Sequence, residues 1–175
     1  MSDLLDASRV QAQTLRLLLA PCNLVNIVQE AVEDQRQIDP SRTLYAQFPN
    51  QKEVLVHADA DRLIQVVMNY LTNALKYSPP DQPVEVCLTV QGTEACVSVR
   101  DKGPGLALEE QERVWERFYR VSNIEVQHGP GSLHVGLGVG LYICRSIIER
   151  HQGQVGVESR VGDGSTFWFS LPICE

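Results

Sequence analysis

Two runs of alternating apolar residues, separated by two turn residues, constrain this sequence most strongly. Residues 84–90 and 95–101 each repeat with a period of two, and Gly92-Thr93 lies between them. An apolar residue at every second position buries one face of a strand, and a two-residue loop with glycine first is typical of a type II′ turn. The sequence therefore predicts an antiparallel hairpin whose apolar face needs a second layer to cover it.

Helices predicted elsewhere in the chain can form that second layer. Apolar residues recur with helical spacing at about 24–38 and 59–76, and Asn23 and Asp59 are suitable N-caps for these two helices. The other predicted elements are strands at 43–48, 53–57, 154–159 and 166–171 and helices at 2–19, 109–118 and from the 136–140 glycines to about His151. This order predicts an α+β fold, a two-layer sandwich with a mixed, mostly antiparallel sheet and helices on one face.

Composition limits the partners of this chain. The 175 residues carry a formal charge of −7 and no long Lys/Arg run, which argues against binding to nucleic acid. No apolar run approaches the roughly 18–20 residues that span a bilayer, so we expect no membrane contact by this chain. The five cysteines form no CxxC pair, which favours reduced thiols and a cytoplasmic location, although a parent protein could still be membrane-anchored.

Four polar residues interrupt the apolar helix predicted at 59–76. Gln65, Asn69, Asn73 and Lys76 follow one another at steps of four, four and three, which places them on one face. Asparagine has a low helix propensity in a helix interior, so the presence of two asparagines here suggests a role other than helix stability. Amide oxygens can bind a metal ion and an ammonium can bind a phosphate, but an ordinary solvated face is the alternative.

Asp101 ends the second alternating run, on the same face as three apolar residues. A carboxylate at the rim of a core needs hydrogen-bond donors, and the exocyclic amine of a purine would serve. Gly103 and Gly105 would let the backbone approach a flat ligand. The alternative is a plain turn aspartate.

The stretch HVGLGVGLYI places Gly136, Gly138 and Gly140 ahead of a helix. Free N–H groups at a helix start attract anions. The spacing GxGxG, without an apolar strand before it, disfavours a dinucleotide fingerprint, and no P-loop GK[ST] occurs. A plain glycine-rich loop remains the alternative, as a simple hairpin turn does for the segment 162–167.

Five segments together, covering about residues 20–173, resemble the ATP-binding domain of sensor histidine kinases. The resemblance rests on Asn69-x3-Asn73-Ala-Leu-Lys-Tyr-Ser78, Asp101-Lys-Gly-Pro-Gly105, Trp115-Glu-Arg-Phe-Tyr-Arg120, Gly136-Leu-Gly-Val-Gly-Leu141 and Gly162-Asp-Gly-Ser-Thr-Phe167, which are similar to the N box, first glycine box, F box and two further glycine boxes. It implies the Bergerat-type fold shared with gyrase, mismatch-repair and chaperone ATPases, with a mobile lid at about 119–137.

The resemblance implies a role for each matching residue in binding ATP and Mg²⁺. Asn73, with Asn69 beside it, would supply oxygen to Mg²⁺, and these two with Lys76 would form the catalytic set. Tyr77 would lie along the adenine, Asp101 would accept from its amino group, and Thr166 would reach the base through water. Gly103 and Gly105 would shape the base pocket. Lys76 and the amides of Gly138, Gly140 and Leu141 would contact the phosphates, and Gly136 and Val139 would also belong to the nucleotide-binding residues. Phe118 and Arg120 would anchor the lid, and Arg120 is also a candidate phosphate contact.

The implied reaction is transfer of the γ-phosphoryl group of ATP to a histidine in a dimerisation domain, followed by relay to a cognate response regulator. None of the four histidines is followed by the acidic residue and Arg that mark the acceptor. We therefore expect residues 1–20 to be a remnant of the dimerisation domain's second helix, and 21–175 to be the catalytic domain. The apolar stripe of 1–19 could also pair two copies. A regulatory nucleotide-binding module without transfer activity and an anti-sigma-type serine kinase remain alternatives.

Overall fold

A five-stranded sheet forms the floor of the domain in a computed structural model, which describes residues 16–117, 119 and 140–174. Its strands are β2 (Leu44–Gln47), β4 (Val84–Gln91), β5 (Glu94–Arg100), β6 (Gln154–Arg160) and β7 (Gly164–Pro172). They lie in the order β2-β4-β5-β7-β6. Only β2 and β4 pair in parallel among these neighbours, so the predicted mixed, mostly antiparallel sheet is confirmed.

In the described part of the chain, three helices pack over the sheet and enclose an apolar core. They are α1 (Leu24–Ile38), α2 (Ala60–Tyr77) and α4 (Gly140–Arg150), whereas α3 (Leu108–Arg113) is a short surface helix. The side chains of Leu63, Leu71 and Phe169 are fully buried within this core. Alternation along β4, β5 and β7 turns their apolar residues toward the helices, as the predicted hairpin pattern requires.

Tyr70 lies at the centre of the core and joins α2 to the sheet. Its ring contacts Phe167 and Trp115 at centroid distances of 6.0 and 6.4 Å, and its hydroxyl donates a 3.1 Å hydrogen bond to the carbonyl of Trp168. Burial of the hydroxyl costs little free energy because it has a hydrogen-bond acceptor. The ring contacts and this bond together hold α2 over β7.

Both predicted helix caps are confirmed. The Asn23 side chain accepts from the amide of Val25, and the Asp59 side chain accepts from the amide of Arg62. Asp59 also donates its backbone amide to Nε2 of His151, while Nδ1 of this buried histidine lies 2.8 Å from the Ile147 carbonyl. The start of α2 is thereby tied to the end of α4.

The first described residues differ from the prediction. Residues 16–19 lie outside any helix, and β1 (Ala20–Asn23) pairs with β3 (Leu55–Ala58) in a separate two-stranded sheet. The predicted helix over 2–19 is therefore wrong at 16–19, and its other positions lie outside the described residues. The helix predicted at 109–118 also ends early, at Arg113. Among the helices of the described ranges, none is long and apolar enough to cross a membrane.

Candidate functional site

Asp101 follows the last residue of β5 and is 2% exposed. Its Oδ1 accepts hydrogen bonds of 2.8 Å from the Gly103 amide and 3.2 Å from the Ser165 amide. No donor among the described residues is recorded at Oδ2. This carboxylate is therefore oriented by two backbone groups that both bond the same oxygen.

Burial raises the pKa of the Asp101 carboxyl from 3.8 to about 6, and the two amides partly oppose that rise. The carboxyl is thus mainly ionised at neutral pH but has lost much of its solvation. A group of this kind gains from a ligand that donates a hydrogen bond to it.

Three glycines hold the loops around Asp101 against other backbone segments. A Cβ on Gly103 would lie 2.7 Å from the Tyr77 carbonyl oxygen, and one on Gly105, whose φ is +79°, would lie 2.1 Å from the Arg160 carbonyl oxygen. A Cβ on Gly164 would lie 2.2 Å from the Asp101 carbonyl oxygen. These positions need glycine because protein backbone approaches them, rather than because a ligand does.

Ser165, and not the predicted Thr166, shares a face with Asp101. Thr166 is paired in register with Arg100 and points to the open face of the sheet, away from the helices. The buried Ser165 side chain lies 2.7 Å from the Ser159 hydroxyl on the core side. This register places Ser165 beside Asp101 and Thr166 on the opposite sheet face, and the contact of either residue with a base stays a prediction. The neighbouring serine carried no separate signal in the sequence.

The predicted polar face of α2 is half-buried rather than solvated. Asn69, Asn73, Lys76 and Tyr77 are all partly covered, and Lys76 Nζ lies 4.9 Å from the centroid of the Tyr77 ring. Tyr77 ends the helix next to Gly103, so the last turn of α2 adjoins the Asp101 loop. Ser78, which the sequence motif includes without a role, accepts a 3.3 Å hydrogen bond at its hydroxyl from the Lys102 amide.

Asn69 faces the start of α4, two turns further from Asp101. A Cβ on Gly140 would lie 3.9 Å from both Cγ and Nδ2 of Asn69. The Nδ2 atom is buried and has no hydrogen-bond partner among the described residues. Eight residues of helix, or about 12 Å, separate Asn69 from Tyr77. An orphaned amide opposite the amide groups of a helix start is suited to a polar, anionic group between them.

The donor set of α2 is compatible with Mg²⁺, which needs few protein ligands because it retains waters and takes phosphate oxygens. In the described part of the chain, no group of three or more His, Cys, Asp or Glu side chains could hold a metal alone. Asn69 and Asn73 offer amide oxygens on the same helix face.

The structure describes only part of the predicted glycine-rich segment and lid. Leu141 is half-buried in the first turn of α4, beside Gly140. The predicted lid at 119–137 is described only at Tyr119. The other predicted contacts outside the described residues are Phe118, Arg120, Gly136, Gly138 and Val139.

Comparison with known proteins places this site in a family. Residues 58–175 match the histidine kinase-, DNA gyrase B- and HSP90-like ATPases. The adaptive-response sensory kinase SasA of Rippkaea orientalis is 34% identical over 99% of this chain, which covers 43% of that protein. The chain thus spans less than half the length of the curated relatives it matches.

Solved structures give the same result. The mycobacterial sensor histidine kinase MprB superposes with a TM-score of 0.74 at 25% identity, covering 89% of this chain and 98% of that one. Full-length ShkA in complex with AMPPNP superposes with a TM-score of 0.78 at 26% identity, covering 98% of this chain and 35% of that one.

Proposed function

Because this chain belongs to the family of histidine kinase-, DNA gyrase B- and HSP90-like ATPases, we propose that it binds ATP with Mg²⁺ and donates the γ-phosphoryl group to a histidine in a two-component signalling system. SasA relatives are named sensory kinases, and the ShkA structure holds an ATP analogue. Both likenesses favour the kinase branch of the family.

The adenine end of the proposed site is built around Asp101. Its Oδ2 accepts from the exocyclic amine, while Gly103 and Ser165 hold Oδ1. Tyr77 lies along the base at the end of α2. Gly105 shapes the loop without touching the base, since its missing Cβ faces Arg160.

The phosphate end lies between α2 and the start of α4. Lys76 contributes positive charge, and the amides of Gly140 and Leu141 point toward the phosphates, together with the proposed contacts Gly138, Val139 and Arg120. Asn73 and Asn69 would hold Mg²⁺, which neutralises charge on the β- and γ-phosphates when bound. A γ-phosphoryl group held there passes to the imidazole nitrogen of the acceptor as its bond to the β-phosphate oxygen breaks, and ADP remains.

One observation carries this proposal: a single helix, α2, joins the Asp101 loop at Tyr77 and the start of α4 at Asn69. An acid suited to a purine amine and an orphaned amide suited to a phosphate therefore lie at two points along one helix. We also propose that residues 1–20 belong to the end of a dimerisation domain, which would supply the acceptor histidine, and that a response regulator receives the phosphoryl group.

Calorimetry with ATP, in the presence and absence of Mg²⁺, tests nucleotide binding. Loss of a charged hydrogen bond costs about 1.5–3 kcal/mol, so Asp101→Asn should weaken ATP binding roughly 10- to 150-fold. Asn73→Ala should remove most of the Mg²⁺ dependence, and Asn26→Ala, on the exposed side of α1, serves as the control. No heat from well-folded wild-type protein would refute the proposal.

A transfer assay separates the kinase from its alternatives. Mixed with its matching dimerisation domain and labelled ATP, the chain should produce acid-labile phosphohistidine. ATP binding without any label would indicate a regulatory nucleotide-binding module, and acid-stable phosphoserine on a partner would indicate a serine kinase.

A further inference from the structure

Arg42, in the loop between α1 and β2, is bonded to the far end of α2. Its Nη1 donates a 2.9 Å hydrogen bond to the Leu75 carbonyl. Its Nη2 donates bonds of 3.1 and 3.2 Å to the carbonyls of Ser78 and Pro79. One guanidinium thus contacts three carbonyl groups over five residues of chain.

The hydrogen bonds of Arg42 are of the kind that stabilises the C-terminal end of a helix. The last carbonyls of a helix lack intrahelical partners, and the helix dipole favours positive charge there. The Leu75 carbonyl is one of these groups, and Ser78 is the C-cap. The planar fork of arginine reaches two separated acceptors at once, which a lysine ammonium cannot do in the same geometry.

The clamped turn contains Lys76 and Tyr77, two residues of the proposed nucleotide site. It also supports the Asp101 loop, because the Ser78 hydroxyl accepts from the Lys102 amide and the Tyr77 carbonyl packs against Gly103. A continuous chain of contacts therefore runs from Arg42 through Ser78 and Lys102 to the acid, although Arg42 has no recorded contact with Asp101.

We infer that Arg42 is a positioning residue for nucleotide binding: by clamping the last turn of α2, it fixes the Asp101 loop relative to Lys76 and Tyr77. This inference rests on the proposed function, and it assigns to a residue outside every motif a share of the ATP affinity. Arg42 acts through other residues and contacts no ligand itself.

Arg36 supplies a matched control. It is also an arginine whose Nη2 donates to a backbone carbonyl, at 2.6 Å, but its acceptor is Leu44 in β2. Arg36→Ala therefore removes a similar contact without touching the end of α2. Arg42→Lys keeps the charge and removes the fork.

Two measurements test the inference on the full chain. In nucleotide-free protein, Arg42→Ala should raise hydrogen exchange at the Lys102 and Gly103 amides about tenfold or more, with the β4–β5 ladder unchanged. By calorimetry it should weaken ATP binding about 5- to 10-fold, with Arg42→Lys between it and the wild type and Arg36→Ala within about twofold of wild type.

The two measurements distinguish failure of the Arg42 inference from failure of the proposed function. Unchanged exchange at Lys102 and Gly103, or equal ATP affinities in Arg42→Ala and Arg36→Ala, would overturn the role of Arg42. A wild-type chain that binds no ATP would instead overturn the proposed function, and the exchange data would still report whether the clamp exists.

Discussion

The Ser165 amide donates a 3.2 Å hydrogen bond to Oδ1 of Asp101, and the Asp101 amide donates one of 2.8 Å to the Ser165 carbonyl. The two residues are 64 positions apart in sequence. This reciprocal pair continues the β5–β7 ladder past the end of β5. The acid of the proposed site is therefore an extension of the sheet.

Asp101→Asn should stabilise the fold at neutral pH. The folded-state pKa of about 6 exceeds the ordinary 3.8, so between these values the folded chain binds more protons than the unfolded chain. Ionisation of Asp101 consequently costs the folded state on the order of 2–3 kcal/mol above about pH 6, and that cost fades as the pH falls toward 4. Asparagine can still accept at Oδ1 and carries no such cost.

Urea unfolding of wild type and Asp101→Asn between pH 4 and pH 7.5 checks this. The difference in unfolding free energy should be largest above pH 6 and should shrink on acidification. A variant less stable than wild type at pH 7 would contradict the burial argument.

Ser165→Ala and Thr166→Val distinguish the two candidate base contacts. Ser165 lies beside Asp101 on the core side, so its loss should weaken ATP binding about 5- to 10-fold. Thr166→Val should change ATP affinity less than about twofold, because its side chain lies on the open sheet face. Competition with a fluorescent ATP analogue measures both affinities, and the reverse order of effects would favour Thr166 as the base contact.

Gly164→Ala should destabilise the chain far more than Gly162→Ala. Both glycines have positive φ, +83° and +91°, but a Cβ at 164 meets the Asp101 carbonyl whereas one at 162 meets open space. We expect about 1–2 kcal/mol for Gly162→Ala from conformation alone, and at least about 3 kcal/mol for Gly164→Ala. Chemical denaturation measures both, and equal losses would show that the turn relaxes freely.

His151→Phe should destabilise the fold by about 1–3 kcal/mol, because the Asp59 amide loses its buried acceptor at Nε2. His57 is exposed on β3, so His57→Phe should stay within about 0.5 kcal/mol of wild type. Thermal unfolding of the two variants provides the comparison. A loss in His57→Phe as large as that in His151→Phe would mean that the change of ring, and not the loss of this hydrogen bond, lowers the stability.

Local patterns predicted most of the elements correctly. Helix α2 was expected at 59–76 and lies at Ala60–Tyr77, because its caps and periodicity are encoded within the segment itself. The hairpin was equally readable, since Gly92, with φ of +60°, is the residue that a type II′ turn requires first.

Contacts between segments that are distant in the chain could not be predicted from the sequence. Strand β1 was missed because Pro21 suggested only a helix stop, whereas its pairing partner is β3, more than 30 residues later. Ser165 carried no signal in the sequence, since which of two neighbouring residues lies beside Asp101 depends on the sheet face that each occupies. Arg42 carries no motif at all, because a guanidinium that bonds backbone carbonyls leaves no pattern in sequence.

The two tryptophans occupy different environments. Trp115 is buried with its ring 5.7 Å from Phe167 by centroid distance, whereas Trp168 is half-buried on the open face of the sheet, where its indole covers Gly156. Their fluorescence should therefore divide into two components, with aqueous iodide quenching the emission of Trp168 first. The emission that iodide leaves unquenched comes from Trp115, and it reports on the interior beside β7 without any added label.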